Sequence, residues 1–366
     1  MRRAHFAFSA LLFLVGCIDT RLPDLTRELG EGRTDGPYCA PDTLATFPPE
    51  ELRIHIIDVG QGDAIWVQTP YYDSRELESR NVLLDAGPSG NLPGASPGGD
   101  VVVNYLLTNG LIPGEILHGL VITHAHEDHY GGVERVASTF EIARYVDSGF
   151  DANSSGFLAA RGAAAGDATR VGGDVFTPAI PELVPRVFTA TDLFGEYVDA
   201  TLLWSSETPP SGNSASPSGT DINNTSVVLA LRWGNRQALL MADLEQDIED
   251  ALIAANDSGE ISLKSNVLKV AHHGSSSSTS RAFLARVFPS ASSQDWALIS
   301  SGRKTFNGVT LPTADTLLNL AEILLPNHIL STENRDDIKT SGTEHGDDTI
   351  LVRISADGLV EACYVP

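Results

Sequence analysis

The chain has 366 residues, with 48 acidic against 24 basic side chains and a formal net charge of −24. Hydrophobic residues make up 42%, enough for an ordinary core in one large domain or two modest ones, and too ordered a composition for a disordered chain. A broad grip on nucleic acid is disfavoured, because phosphate contacts need clustered Lys and Arg.

Arg2 and Arg3 precede an apolar run from Phe6 to Val15. A run of about ten residues is too short to span a hydrocarbon core and suits the centre of a secretory signal. It ends in Leu14-Val15-Gly16-Cys17, which resembles a bacterial lipobox, so residues 1–17 are expected to be a lipoprotein-type signal peptide with lipidation at Cys17. The alternative is a plain signal peptide that happens to contain Cys17. Acyl chains would hold the protein at a membrane surface without a spanning helix. No later stretch reaches the ~18 apolar residues a membrane helix needs. Residues 18–50 are polar, with several Gly and Pro, and read as a tether. The expected location is extracytoplasmic, as a membrane-anchored bacterial lipoprotein on the periplasmic face or the cell surface. With Cys17 lipidated, Cys39 and Cys363 remain, and in an oxidising compartment they are candidates to pair. Two unrelated buried thiols are the alternative.

The globular part, residues 51–366, starts with strand-like segments at 52–59, 63–68 and 81–85. A Gly/Pro loop follows at 88–99, then helical spacing at 100–109 and a buried strand at 119–123 that runs into His124. A helix starts at Gly131. Residues about 148–222 read as a variable insert, with Ala-rich and Gly-rich pieces, a polar low-complexity loop and two or three weak strands, the best at 200–204. Two strands at 226–233 and 237–241 flank Gly234-Asn235, a hairpin signal. Helical spacing at 245–256, 281–287 and 313–324 then alternates with strands at 266–271, 296–300 and 350–354. Strands alternating with helices argue for a layered α/β architecture.

The chemistry concentrates in H-A-H-E-D-H-Y-G-G at 124–132, where His124, His126, Asp128 and His129 crowd a strand end. Unliganded, such imidazoles would repel on protonation. Neutral imidazole and carboxylate are good zinc ligands, and the tight turn divides them between two adjacent metals. Asp243 follows the apolar string L-L-M-A and reads either as a ligand or as a helix N-cap. His272 and His273 follow the strand V-L-K-V-A.

Seven strings carry a resemblance. They are D-V-G-Q-G-D-A (58–64), L-L-D-A-G (83–87), the His-rich string, N-N-T-S-V-V-L (223–229), L-L-M-A-D (239–243), L-K-V-A-H-H-G-S (268–275) and S-S-G-R (300–303). Together the chain resembles the metallo-β-lactamase fold superfamily, and within it the hydrolase domain of ComEC-type competence proteins in a stand-alone, secreted form. The resemblance implies an α/β fold, a four-layer αββα sandwich with metals at one edge of the two sheets. It implies that Asp243 bridges two metals. His124 and His126 would hold one, Asp128 and His129 the other, and one of His272 and His273 would complete the second site. His273 is the favoured ligand, with His272 as phosphate contact or general acid. Asp58, Asp85 and Asn224 would orient or support the ligands, and Ser275 and Arg303 would contact an anionic substrate. The implied cofactor is Zn2+, one or two ions, with Mn2+ as an alternative.

Three departures from the family pattern stand out. Many members place a third His between the His-rich string and the bridging Asp, and here none occurs from Tyr130 to Ala271. Asn223, Asn224, His328 and His345 are the candidates for that position, with a one-metal site as the alternative. Leu311 stands where competence-type relatives often have a His, and Ala242 where Gly is usual. The implied function is a metal-dependent hydrolase of phosphodiester or other phosphoester bonds, with water made acidic by the metal and Asp128 and His272 as catalytic groups. Its expected substrate is a small-molecule, nucleotide or envelope phosphoester, with extended nucleic acid disfavoured by the net charge. The alternatives are hydrolysis of a different envelope ester, or a non-catalytic binding lipoprotein with a degenerate metal site.

Overall fold

Apolar residues on both faces of the strands dictate how this chain layers. On the strand covering residues 228–233, Leu229 and Leu231 join one apolar cluster while Val228 and Ala230 join another. Side chains alternate across a strand, so a strand apolar at every position must be covered on both sides. The computed structural model describes residues 37–40, 43–44, 48, 50–71, 79–89, 98–170, 174–176, 186–187, 193–195, 197–302, 305–306, 308–333 and 348–365.

The strands are β1 (Glu51–Ile56), β2 (Ile65–Gln68), β3 (Asn81–Leu84), β4 (Ile116–Leu117), β5 (Gly119–Ile122), β6 (Glu141–Ile142), β7 (Arg144–Asp147), β8 (Asp174–Phe176), β9 (Arg186–Val187), β10 (Asp199–Trp204), β11 (Val228–Trp233), β12 (Arg236–Leu240), β13 (Val267–Lys269), β14 (Trp296–Ile299), β15 (Thr305–Phe306), β16 (Val309–Thr310), β17 (Ile329–Ser331), β18 (Ile350–Ser355) and β19 (Val360–Tyr364). The helices are α1 (Gly98–Thr108), α2 (Glu127–Tyr130), α3 (Val133–Ala137), α4 (Ser155–Arg170), α5 (Gly219–Asn223), α6 (Gln246–Ser258), α7 (Arg281–Val287) and α8 (Ala314–Ala321). One sheet has the order β19-β18-β1-β2-β3-β5-β7-β8 and the other β17-β14-β13-β12-β11-β10-β9.

The two sheets face each other across a shared core that includes Ile54, Val67, Val121, Leu229, Leu240 and Val352. Outside the first sheet, Leu83, Leu120 and Ile122 pack on Val102 and Leu106 of α1, Val136 of α3 and Phe157 of α4. Outside the second, Leu239 and Leu268 pack on Leu252 of α6, Phe283 of α7 and Leu320 of α8. The result is the four-layer αββα sandwich. Parallel pairing of β3 with β5, and of β12 with β13 and β13 with β14, brings their C-terminal ends to one edge. Loops that leave such an edge are where an α/β sheet builds its sites.

Among the described residues from 148 to 222 the strands are β8, β9 and β10, the last of them the expected 200–204 segment. The Ala-rich piece of this stretch is the helix α4, with Phe157, Ala160 and Ala164 buried along one side at helical spacing. Near its end, β10 pairs antiparallel with β11 inside the second sheet. The polar string before α5 is indeed a loop. The strands β7, β17 and β19 lie outside the expected set. On the edge strand β19, Cys363 forms a disulfide with Cys39, and Cys39 N donates to Tyr364 O at 2.8 Å. Among the described residues no helix is long and apolar enough to cross a membrane.

Candidate metal centre

The His-rich loop is shaped by one carboxylate. Asp85 lies just past β3, beside the end of β5, with a left-handed backbone (φ 58°). Its oxygens accept from Thr123 N and Thr123 Oγ1, both at 2.8 Å, and pair with His129 Nδ1 at 2.8 Å. Both ends of the loop are thereby tied to one anchor. Holding Nδ1–H in this way leaves Nε2 as the free ring nitrogen and fixes the ring's direction.

The second sheet supplies the facing groups. β12 ends at Leu240, and Ala242 turns the chain in the left-handed region (φ 49°) to present Asp243. Asp243 is not the cap of α6; Glu245 holds that position. Asn224 Oδ1 accepts from Glu245 N at 3.0 Å, which steadies this corner from α5's side. After β13 the chain makes a tight turn through Ala271–Gly274, with His272 (φ 47°) and His273 (φ 52°) both left-handed. Such conformations cost non-glycine residues of order 1–3 kcal/mol each and gather where function requires them. The turn sends the two rings apart. His273 is buried, with Nδ1 2.9 Å from Ser300 O. His272 is partly exposed, with Nδ1 3.1 Å from Ser277 Oγ.

These loops converge. Asp243 Oδ2 lies 3.3 Å from His129 Nε2, 3.3 Å from His273 Nε2, 3.8 Å from His124 Nε2 and 3.9 Å from His272 Nε2. His273 Nε2 is 3.6 Å from Asp128 Oδ2, and His124 Nε2 is 2.9 Å from His126 Nδ1. Two groups offer ligand atoms within 4.8 Å of one another: His124, His126 and Asp243, and Asp128, His129 and His273. A third, Asp63, Asp85 and His129, is made of groups already tied to neighbours.

Electrostatics separates the rings. Burial, with the neighbouring His129 and His126, holds His124 well below the ordinary imidazole pKa, and burial also lowers His126. Burial would depress His129 too, but Asp243 and Asp85 outweigh it and hold that ring well above its ordinary value. Burial is likewise outweighed at His273, where Asp243 and Asp63 raise the pKa to about 10. Asp243 itself is held well below the carboxylate range: His273, His129 and His272 overcome its burial. His129 Nε2, His273 Nε2 and Asp243 Oδ1 are buried without a hydrogen-bond partner. Buried polar atoms are rarely left so, and here several aim at one small space lined by imidazole and carboxylate. That donor set fits a divalent cation.

The other expected site residues fall in different places. The Asp58 carboxylate accepts from Gly60 N at 3.1 Å and Asp348 N at 3.3 Å, shaping its own loop. The neighbour that reaches the site is Asp63. Its backbone N donates to Asp128 O at 3.2 Å, and its carboxylate lies 3.4 Å from His273 Nδ1, accepts from Ser300 Oγ and pairs with the fully buried Lys269 at 2.9 Å. A lysine in an otherwise apolar strand was the available signal, because lysine is almost never buried unpaired. Ser275 stands beside His272, with Oγ 3.0 Å from Ser277 Oγ. His328 stacks on Trp296 at the opposite end of β14 and takes no part. Leu311 is buried. Arg303, His345 and Cys17 lie outside the described residues.

The sequence model for the Metallo-beta-lactamase superfamily matches residues 58–291. ComE operon protein 3 of Bacillus subtilis (strain 168) is 28% identical over 270 residues, covering 69% of this chain and 29% of that protein. The chain thus spans less than a third of that relative's length. Zn(2+)-bound PqqB from Methylobacterium extorquens aligns over 77% of this chain and 98% of its own, at 12% identity and a TM-score of 0.37. Igni18, a metallo hydrolase from the archaeon Ignicoccus hospitalis KIN4/I, aligns over 82% and 98%, at 13% identity and a TM-score of 0.36.

Proposed function

The chain belongs to the metallo-beta-lactamase superfamily, a hydrolase fold with His and Asp side chains placed to bind metal, and from that premise we propose that it hydrolyses phosphodiester or other phosphoester bonds outside the cytoplasm. The observation that carries this reading is the position of Asp243 Oδ2, within 3.9 Å of an imidazole nitrogen from each of His124, His129, His272 and His273. A carboxylate shared by two ligand groups could hold two cations side by side, and a pair of cations would supply stabilisation to both the attacking and the leaving oxygen in displacement at phosphorus.

His124, His126 and Asp243 would hold one cation, and Asp128, His129 and His273, with Asp243, the other. When bound, such ions supply Lewis acidity and a water that ionises near neutral pH. Zn2+ suits the imidazoles, with Mn2+ as the alternative. The chain's own groups do the rest. Asp128 is half-buried and can steady a water. His272 has Nδ1 bound to Ser277 Oγ at 3.1 Å, which leaves Nε2 to carry a proton to a departing oxygen. Ser275 and Ser277 offer hydroxyls to a phosphoryl group beside it. The net charge of −24 favours a small or envelope phosphoester over long nucleic acid. The Cys39–Cys363 disulfide supports an oxidising compartment, and the N-terminal apolar run ending at Cys17 supports a lipid anchor on a membrane surface.

The test is turnover of bis-p-nitrophenyl phosphate and of single-stranded DNA by the purified chain with Zn2+ or Mn2+. Turnover is expected on the small diester, faster than on DNA, and lost in His126→Ala. If neither substrate is turned over in a manner that depends on His126, the proposal fails.

A further inference from the structure

The first ligand group has one protein donor fewer than the second, which also draws on Asp243. His124, His126 and Asp243 form the first, and among the described residues no fourth His, Cys, Asp or Glu joins them. Two neighbouring asparagines, Asn223 and Asn224, stand near, and the structure separates their roles. Asn224 Oδ1 is already occupied by Glu245 N at 3.0 Å. Asn223 Oδ1 is buried with no hydrogen-bond partner, in a residue only 2% exposed. A buried amide oxygen is rarely left unpaired, and this one has a free acceptor site among metal-type donors.

Connections on both sides locate this oxygen. Asn223 ends α5, whose start is fixed by a capping box between Ser218 and Asp221. Ser226 N returns to Asn223 O at 3.0 Å, and Val227 N donates to Thr123 O at 2.9 Å, next to His124. Asn223 Nδ2 donates to Glu245 Oε1 at 2.8 Å, two residues beyond Asp243, and that same oxygen is 3.6 Å from His272 Nδ1. The amide is therefore held between the strand end that carries His124 and the corner that carries Asp243. Its NH2 end faces Glu245, and its oxygen is spare.

We propose that Asn223 Oδ1 is the fourth protein ligand of the first metal position, alongside His124, His126 and Asp243. The proposal rests on the metal-centre reading above and adds a chemical consequence. A carboxamide oxygen is neutral and hard; it suits Mn2+ or Mg2+ better than it suits Zn2+. The second position has its own carboxylate in Asp128, whereas the first shares its only one. The two positions are thus unequal: the second binds Zn2+ tightly, and the first binds it weakly and accepts Mn2+ more readily.

The experiment is a titration of chelator-stripped protein with Zn2+ and Co2+, followed by absorption, and with Mn2+, followed by electron paramagnetic resonance. Wild type, Asn223→Ala and Asn223→His are compared, with circular dichroism as the check on folding. Wild type is expected to bind in two steps of different affinity. Asn223→Ala should weaken the weaker step roughly tenfold or more and leave the tighter one, while Asn223→His should tighten the weaker Zn2+ step by a similar factor. Should Asn223→Ala fail to fold, the His variant decides alone, by tightening that step or not. Two unchanged steps in the variants overturn the role of Asn223 and leave the metal centre standing. A wild-type chain that binds at neither step overturns the metal centre itself, and this inference with it.

Discussion

Histidines of opposite character sit within one fold, and their neighbours decide which is which. His55 on β1 is fully enclosed: Nδ1 meets Tyr105 OH at 2.8 Å, Nε2 meets Gln68 Oε1 at 3.1 Å, and the ring stacks on Trp66. Burial lowers its pKa to about 3. His129 and His273 are equally buried, but carboxylates face them and their shifts run the other way. His55 is therefore a neutral core residue. Its folded pKa lies below the unfolded value of roughly 6.5, so between those values the unfolded chain binds a proton that the folded chain refuses. The stability it contributes is fully present above pH 6.5 and is lost as pH falls toward 3. Over that window the loss is on the order of 4 kcal/mol, of which roughly 2 falls between pH 6.5 and 5. Urea midpoints at pH 7 and pH 5 are expected to differ less in His55→Phe than in wild type. Equal differences would contradict the assignment. Residues at this level were unevenly legible. The ligand histidines announced themselves by crowding, whereas Lys269 gave only the weaker signal of a lysine inside an apolar strand, and its partner Asp63 is read once the fold brings β13 against the 58–63 loop.

Short connections, more than the strands, determine whether the donors meet. In the loop after β1, Gly62 has φ +136°, and a Cβ placed there would lie 2.2 Å from Asp128 O and 3.2 Å from Asp128 Cβ. The glycine lets the D-V-G-Q-G-D loop lie flat against the backbone of the ligand loop, and Asp63 N then bonds Asp128 O. Gly62→Ala is expected to push Asp128 away and weaken the second metal position roughly tenfold or more. Gly234→Ala, at a hairpin tip with open space around the new carbon, is the control that leaves metal affinity as it was. Metal titration checks both; an unchanged second step in Gly62→Ala would show that the close approach does not position the ligand. The long apolar strands were readable because both their faces are buried, so each reads as a short, nearly continuous apolar run bounded by turn residues. α4 escaped because Ala and Gly give its buried side so little contrast with its exposed one, and β17 and β9 are too short to carry a pattern. The His272-His273 turn shows the same limit: the pair is plain in the sequence, but both backbones are left-handed and only the packing, with His273 buried against Ser300 and His272 beside Ser277, tells which ring turns inward.

Across the whole molecule, two sheets contribute half a site each, so anything that fixes their relation supports the chemistry. Lys269 and Asp63 join the sheets by a buried ion pair directly behind His273. At the first sheet's edge the Cys39–Cys363 disulfide closes a sequence separation of 324 residues. In the chain-entropy model a loop of that size contributes on the order of 5 kcal/mol. Cys39→Ser with Cys363→Ser is expected to lower the melting temperature by several degrees while leaving metal stoichiometry unchanged, and an unaltered transition would contradict a stabilising role. The layered α/β architecture could be read from strand and helix alternation, and the family strings added the order of its layers. The carboxylate at the centre belongs to both halves, so it is also where the metal reading is most exposed to test. Metal content per chain, measured after mild purification and zinc reconstitution, should be at least one in wild type and should fall sharply in Asp243→Asn. A wild-type value under about 0.2, where multi-ligand sites bind tightly, or an Asp243→Asn value equal to wild type, would contradict it.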